Sequence, residues 1–266
     1  MRRPVSPGWA EEQAPTPFLY HKQNLKLNYL MPSLGCLGGI FKIMYRLEQF
    51  NEQFPKNSYL FFCHEAMKEL FNSLDWVCFH KEDMDEDDIH VYERNYIISL
   101  ACMLSKMEGL ELPGKINGEV AKSLDALAPQ DVKEEYLELK RRQTPDYNPK
   151  SCYIFPDLLI HENHSPERET WTRENQHVII EAKTSCIGNI NSFFLDFYKL
   201  NLYLSYLHFE NAIYLIVRTP ISTINKYLSE YEKQINYFSE NILDNLYFFV
   251  QEQIDEEPKI FRITNK

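Results

Sequence analysis

Three residues in the second half of the chain have the types and spacing to hold a divalent cation and activate a water. Asp157 follows Pro156 inside the apolar run "CYIFPDLLIH" (152–161), and Glu181 and Lys183 close the run "HVIIEAKT" (177–184). Both runs read as buried strands, and a charge at the end of a buried strand is costly unless it is paired or bound to a metal. Alternate residues of a strand project from one face, so Glu181 and Lys183 share a face while the small Ala182 points the other way. If the two runs pair, Asp157 reaches Glu181 across the ladder. Two converging carboxylates make an oxygen site for Mg²⁺, which takes one or two carboxylates and keeps several waters. A lysine beside it would favour the deprotonated form of a metal-bound water and offset charge building on a phosphate.

Pro156-Asp157, followed by an apolar strand ending Glu181-Ala182-Lys183, resembles the PD-(D/E)XK nuclease superfamily, which has the restriction-endonuclease-like fold. The likeness spans about residues 92–219 and includes the order strand, motif strand, helix, strand. It implies a Mg²⁺- or Mn²⁺-dependent nuclease in which Asp157 and Glu181 hold the metal, the carbonyl of Ala182 is a further ligand, and Lys183 assists the attacking water. It favours a DNA endonuclease, with a role in bacterial defence or restriction, although no residue pattern separates DNA from RNA. A catalytically silent fold serving as a binding or assembly module stays open beside it. A second Pro-Asp pair, Pro145-Asp146, sits in a turn with no apolar strand behind it and is set aside.

Two further features bear on the site. Glu93 opens a helical pattern over 91–107 and shares a face with Ile97, Leu100 and Leu104. The resemblance implies a glutamate of this helix at the metal, while a glutamate is also welcome at a helix start. On the helix after the motif strand, Ser192, Asp196, Lys199 and Tyr203 form the single polar stripe. The resemblance places a Gln, Lys or Tyr of this helix beside the site; the plainer reading is a solvent-facing stripe. The Gln is absent here.

The elements that must position these residues are legible as periodicities. Helical spacing marks 38–53, 59–75, 91–107, 131–142, 191–207 and 221–243. Strand-like runs are 152–161, 177–184, 211–219, 246–253 and 259–265. This predicts an α/β fold with a central mixed sheet flanked by helices and an N-terminal helical elaboration. The first core strand has no clear signal in 108–150, which reads as loop and helix, and falls to the short run before Pro156. Residues 1–30 read as an extended lead, and 31–266 as one domain: a helical part over 31–150, a motif-bearing core over 151–219, and a helix and strands over 220–266.

Composition bounds the partners. With 28 basic and 39 acidic side chains the net charge is −11, too acidic for nucleic acid to bind over the whole surface. A local patch must serve. Lys140, Arg141, Arg142 and Lys150 are the best candidates for phosphate contacts, with Lys199 added from the later helix. Trp171, in the charged loop between the motif strands, packs or stacks on a base. His161 and His164 flank the site and read as surface loop residues. An acidic nuclease of this kind calls for a second copy or a partner protein to complete its groove. The six cysteines show no metal-ligand spacing. With no apolar leader and no membrane-length run, a reduced cytoplasmic setting is expected.

Overall fold

Three runs that are apolar on both faces set the middle of the sheet. Strands β6 (Gln176–Lys183), β7 (Asn211–Val217) and β8 (Leu246–Gln251) lie side by side and parallel. Parallel strands need crossovers that cover both faces, so they read as continuous apolar runs rather than as alternation. Along β7, Ala212, Tyr214 and Ile216 enter one apolar layer, and Ile213, Leu215 and Val217 the other. Phe248 and Phe249 divide the same way on β8.

These strands belong to a computed structural model that describes residues 45–72, 93–106, 114–118, 121–125, 127–149, 151–162, 175–184, 187, 189–235, 240–253 and 256–265. The expected lead over 1–30 lies outside them, as do Lys150, His164 and Trp171. Strand β5 (Leu158–His161) pairs antiparallel with β6, and β2 (Lys115–Asn117) antiparallel with β5. On the other side β9 (Lys259–Asn265) pairs antiparallel with β8, and β1 (Tyr45–Gln49) with β9. The result is one mixed seven-stranded sheet in the order β1-β9-β8-β7-β6-β5-β2. A separate pair joins β3 (Lys122–Ser123) to β4 (Tyr153–Ile154).

Helices cover both faces. Helices α1 (Tyr59–Asn72) and α2 (Glu93–Lys106) send Cys63, Met67, Leu70, Leu100 and Leu104 into the layer that receives Val178, Ile180 and Ala182 of β6. The other layer takes Tyr136 and Leu139 of α3 (Gln130–Gln143), the aromatic side of α4 (Ile190–Tyr206), and Ile224 and Leu228 of α5 (Ile221–Glu230). Helix α4 is the crossover from β6 to β7. Asn189 caps it, its side chain accepting from the Asn191 amide at 2.9 Å. Its residues Phe193 through Tyr203 are all buried. No helix among the described residues is long and apolar enough to cross a membrane.

Four local expectations are corrected. The helical reading of 38–53 gives way to a strand at Tyr45–Gln49, where Tyr45 and Leu47 point inward and Arg46 and Glu48 outward. Pairing with β9, far along the chain, decides this. The run 152–161 is two strands in two sheets, because Pro156 cannot donate to a ladder. The first core strand is not the run before Pro156. That run pairs in the separate two-stranded sheet, and the strand beside β5 is β2, whose one large apolar residue, Ile116, is too little for a periodic signal. The long helix over 221–243 is interrupted at Tyr231, and its described residues fall in α5, α6 (Glu232–Ile235) and α7 (Glu240–Leu243).

Candidate active site

The break at Pro156 puts Asp157 opposite Glu181, one step beyond the last ladder pair, Leu158 with Ile180. There the Ala182 amide donates to Asp157 Oδ2 at 2.7 Å, so a side chain takes the place of a ladder bond. Amide and carbonyl of one strand residue project toward the same neighbour. The carbonyl of Ala182 therefore lies on the Asp157 side.

Glu181 projects into the α4 layer and is 1% exposed. The Lys199 ammonium ion-pairs with its Oε2. Its Oε1 is buried and has no hydrogen-bond partner among the described residues. Lys199 also reaches Asp196 Oδ1 at 2.9 Å and donates to the carbonyl of Phe155 at 3.4 Å. Asp196 bridges the two ammonium groups, since its Oδ2 lies 2.9 Å from Lys183 Nζ. Lys183 completes the chain of contacts by donating to Glu93 Oε2 at 3.1 Å. Three carboxylates thus meet two ammonium groups at the C-terminal end of β6, and Asp157 on the Ala182 amide makes a fourth, a formal excess of two negative charges among these six side chains. Glu93 and Asp157 line a cleft of about 270 Å³ together with Arg94, Ile97, Ile98 and Gly118. A Cβ at Gly118 would come within 3.3 Å of the Asp157 carbonyl, so this wall is kept low.

No protein-family model, curated protein or solved structure matches this chain.

The imbalance appears in the proton affinities. Burial raises the carboxyls of Glu181, Asp157 and Glu93 above their ordinary range, and neighbouring carboxylates add to the rise. Lysines oppose it at each. Burial alone would pull the two ammonium groups down. Asp196 and Glu93 outweigh it at Lys183, and Glu181 and Asp196 outweigh it at Lys199, so both stay charged. Asp196 is lowered despite its burial, because Lys199 and Lys183 both face it.

Of the residues singled out in the sequence, Asp157, Glu181, Ala182, Lys183 and Glu93 come together. Glu93 reaches the site across 90 positions of chain. The stripe on α4 turns inward: Asp196, Lys199 and Tyr203 are all buried, correcting the solvent-facing reading. Lys199, 8% exposed, is part of the site rather than a surface contact for phosphate. Asp196 is the member that sequence reasoning left without a role. Its signal was an acid and a base at i, i+3 on a helix otherwise apolar all round.

The basic cluster divides. Arg141 and Arg142 are exposed and pair with Glu138 at 3.8 and 3.6 Å. Lys140 is half-buried, 5.8 Å from the centre of the Tyr147 ring. Burial pulls its ammonium down, Lys199 pushes the same way, and Asp196 and Glu181 oppose them. His161 is no surface loop residue. It is buried in β5 with its Nε2 2.7 Å from Asn117 Nδ2.

Among the described residues no group of three or more His, Cys, Asp or Glu side chains is arranged to hold a metal ion. Mg²⁺ asks for less, one or two carboxylates with water and phosphate oxygens completing its shell. Asp157 and the Oε1 of Glu181, which has no hydrogen-bond partner among the described residues, are the carboxylate oxygens of the donor type that such an ion takes.

Proposed function

We propose that this chain is a metal-dependent phosphodiesterase acting on nucleic acid, of the PD-(D/E)XK kind, with DNA the favoured substrate. The observation that carries the reading is the convergence of Asp157, Glu181, Lys183 and Glu93 at one sheet end beside a cleft. Asp157 and Glu181 would hold Mg²⁺ or Mn²⁺, with the Ala182 carbonyl on the same side. When bound, that ion would lower the pKa of a coordinated water and offset charge on the phosphate. Lys183 stays protonated between Asp196 and Glu93, so it donates hydrogen bonds to the attacking water and to a phosphate oxygen rather than taking a proton. Asp196 keeps that ammonium at the strand end. Lys140, Arg141 and Arg142 lie on the helix beside the site and supply phosphate contacts. With a net charge of −11, a second copy or a partner protein supplies the rest of the groove.

The test is cleavage of plasmid DNA and of RNA with Mg²⁺ or Mn²⁺, with Lys183→Ala as control. Metal-dependent nicking that disappears in the variant is expected. Equal cleavage by both proteins, or none by either with both metals and both substrates, overturns the reading. One observation favours a second reading, a silent fold used as a binding module: Lys199 already neutralises one oxygen of Glu181. Nucleic-acid binding without cleavage, unaffected by metal, would select it.

A further inference from the structure

Lys199 is buried among acceptors. An ammonium has three donors, and this one meets three acceptors: Glu181 Oε2, Asp196 Oδ1 and the Phe155 carbonyl. It is fixed from behind the site, with Glu181 on β6 and Asp196 one turn earlier on its own helix. Lys183 differs. It too meets three acceptor atoms, both oxygens of Glu93 and Asp196 Oδ2, but one of these partners, Glu93, is a wall of the cleft. The two lysines are therefore not alternates for one task. Lys183 is joined to the cleft through Glu93, and Lys199 sits where a charge is needed to keep Glu181 ionised inside the protein.

We propose that Lys199 is a resident counter-ion for Glu181, one that holds the metal-free chain together and weakens the grip of Glu181 on a divalent cation. This rests on the metal-site reading above. Glu181 is 1% exposed, and a carboxyl so placed keeps its charge only with a positive partner beside it. Lys199 takes Oε2, and Oε1 remains for a cation. Both positive charges would then share one carboxylate, and their repulsion in a poorly solvated site lowers affinity. Removing the ammonium leaves the cluster with three excess negative charges in place of two. Lys199 is thus a positioning residue and touches no substrate. Its consequence is a site that stays empty at low metal concentration without unfolding.

The experiment uses the full chain with Lys199→Met, which keeps the length of the side chain and drops the charge. Thermal melts in EDTA and in MnCl₂ are combined with calorimetric titration of Mn²⁺. The metal-free melting temperature should fall, the Mn²⁺-induced rise should grow, and the Mn²⁺ Kd should drop roughly tenfold or more. An unchanged metal-free melt, or a Kd equal to or weaker than wild type, overturns the proposal. Where Lys199→Met fails to fold in EDTA, the double variant Glu181→Gln with Lys199→Met decides. Its recovery of a cooperative melt supports the counter-ion role, and failure to recover overturns it. If wild type neither binds Mn²⁺ nor cleaves nucleic acid, the nuclease reading falls by itself. The counter-ion role then stands or falls on the double variant alone.

Discussion

Strand β6 is polar and buried at both ends, and the two ends meet that cost in different ways. At its start, His177 stacks on Tyr59 with ring centres 4.1 Å apart, and Glu162 Oε1 lies 3.6 Å from its Nε2. Asn117 meets His161 next to it. Burial pulls the His177 imidazole down and pushes the Tyr59 phenol up to about 12, so both rings are kept neutral. At its finish, charge is gathered instead: three carboxylates share two ammonium groups, and a fourth, Asp157, lies beside them on a backbone amide at the edge of a cleft. Neutral polar groups can be buried by stacking and hydrogen bonding at modest cost, whereas unbalanced charge cannot. A chain under selection for stability alone has no use for the second arrangement. Strongly shifted groups lining a cleft are where chemistry is sought.

The comparison breaks if the two ends respond alike. The largest effect is expected from Lys183→Ala, with a loss of cleavage of at least ~100-fold, since positioned proton donors of this kind contribute on that scale. His177→Ala should keep wild-type cleavage in the same assay. Comparable losses in both would mean that the strand as a whole, not its charged end, supports activity.

Asp157→Asn should remove most of the metal response. A cation binding only the folded chain at a hundredfold excess over Kd stabilises by about 2.7 kcal/mol, a rise in Tm of roughly 5–10 °C at this chain length. Without metal, the variant should be at least as stable as wild type at pH 7–8. A carboxyl raised by burial contributes stability below its ordinary range and loses it as pH rises through its folded value, so above that point its charge is a cost. Asparagine removes the charge and can still accept from the Ala182 amide. Melts with EDTA and with Mg²⁺ check both halves. An equal metal response in the two proteins would place the ion elsewhere.

Glu93→Gln should lower cleavage by about tenfold, the effect of loosening a partner that orients the Lys183 ammonium. Its unfolding midpoint in urea should stay close to wild type, because Glu93 is partly exposed. Full activity in the variant would leave Glu93 as a helix-start residue only.

The smallest effect belongs to the neutral end. An imidazole lowered by burial contributes stability above its ordinary value of 6.5 and loses it as pH falls through the folded value. Wild type should therefore lose stability between pH 7 and pH 5 through His177, with Glu162 and Glu210 facing it and partly offsetting the loss. His177→Phe keeps a ring on Tyr59 and should flatten that window in urea melts. A slope as steep as wild type would assign the loss to other groups.

What the sequence by itself determined is local and periodic. The short continuous apolar run at 177–184 reads as a strand buried on both faces, and the alternation of a strand then puts Glu181 and Lys183 on one side. The strand at 211–219 and the helix between them follow from the same kind of pattern. So does parallel pairing, because a helical crossover between two buried strands brings them parallel. Tertiary structure decided the rest wherever the deciding partner lies far along the chain. Tyr45–Gln49 is a strand because β9 offers an edge, and Lys115–Asn117 because β5 does. Asp196 and Lys199 turn inward because Glu181 and Lys183, on another element, need their charges balanced. Local spacing reports which residues share a face. It carries no term for what that face will meet, and the site was assembled at those meetings.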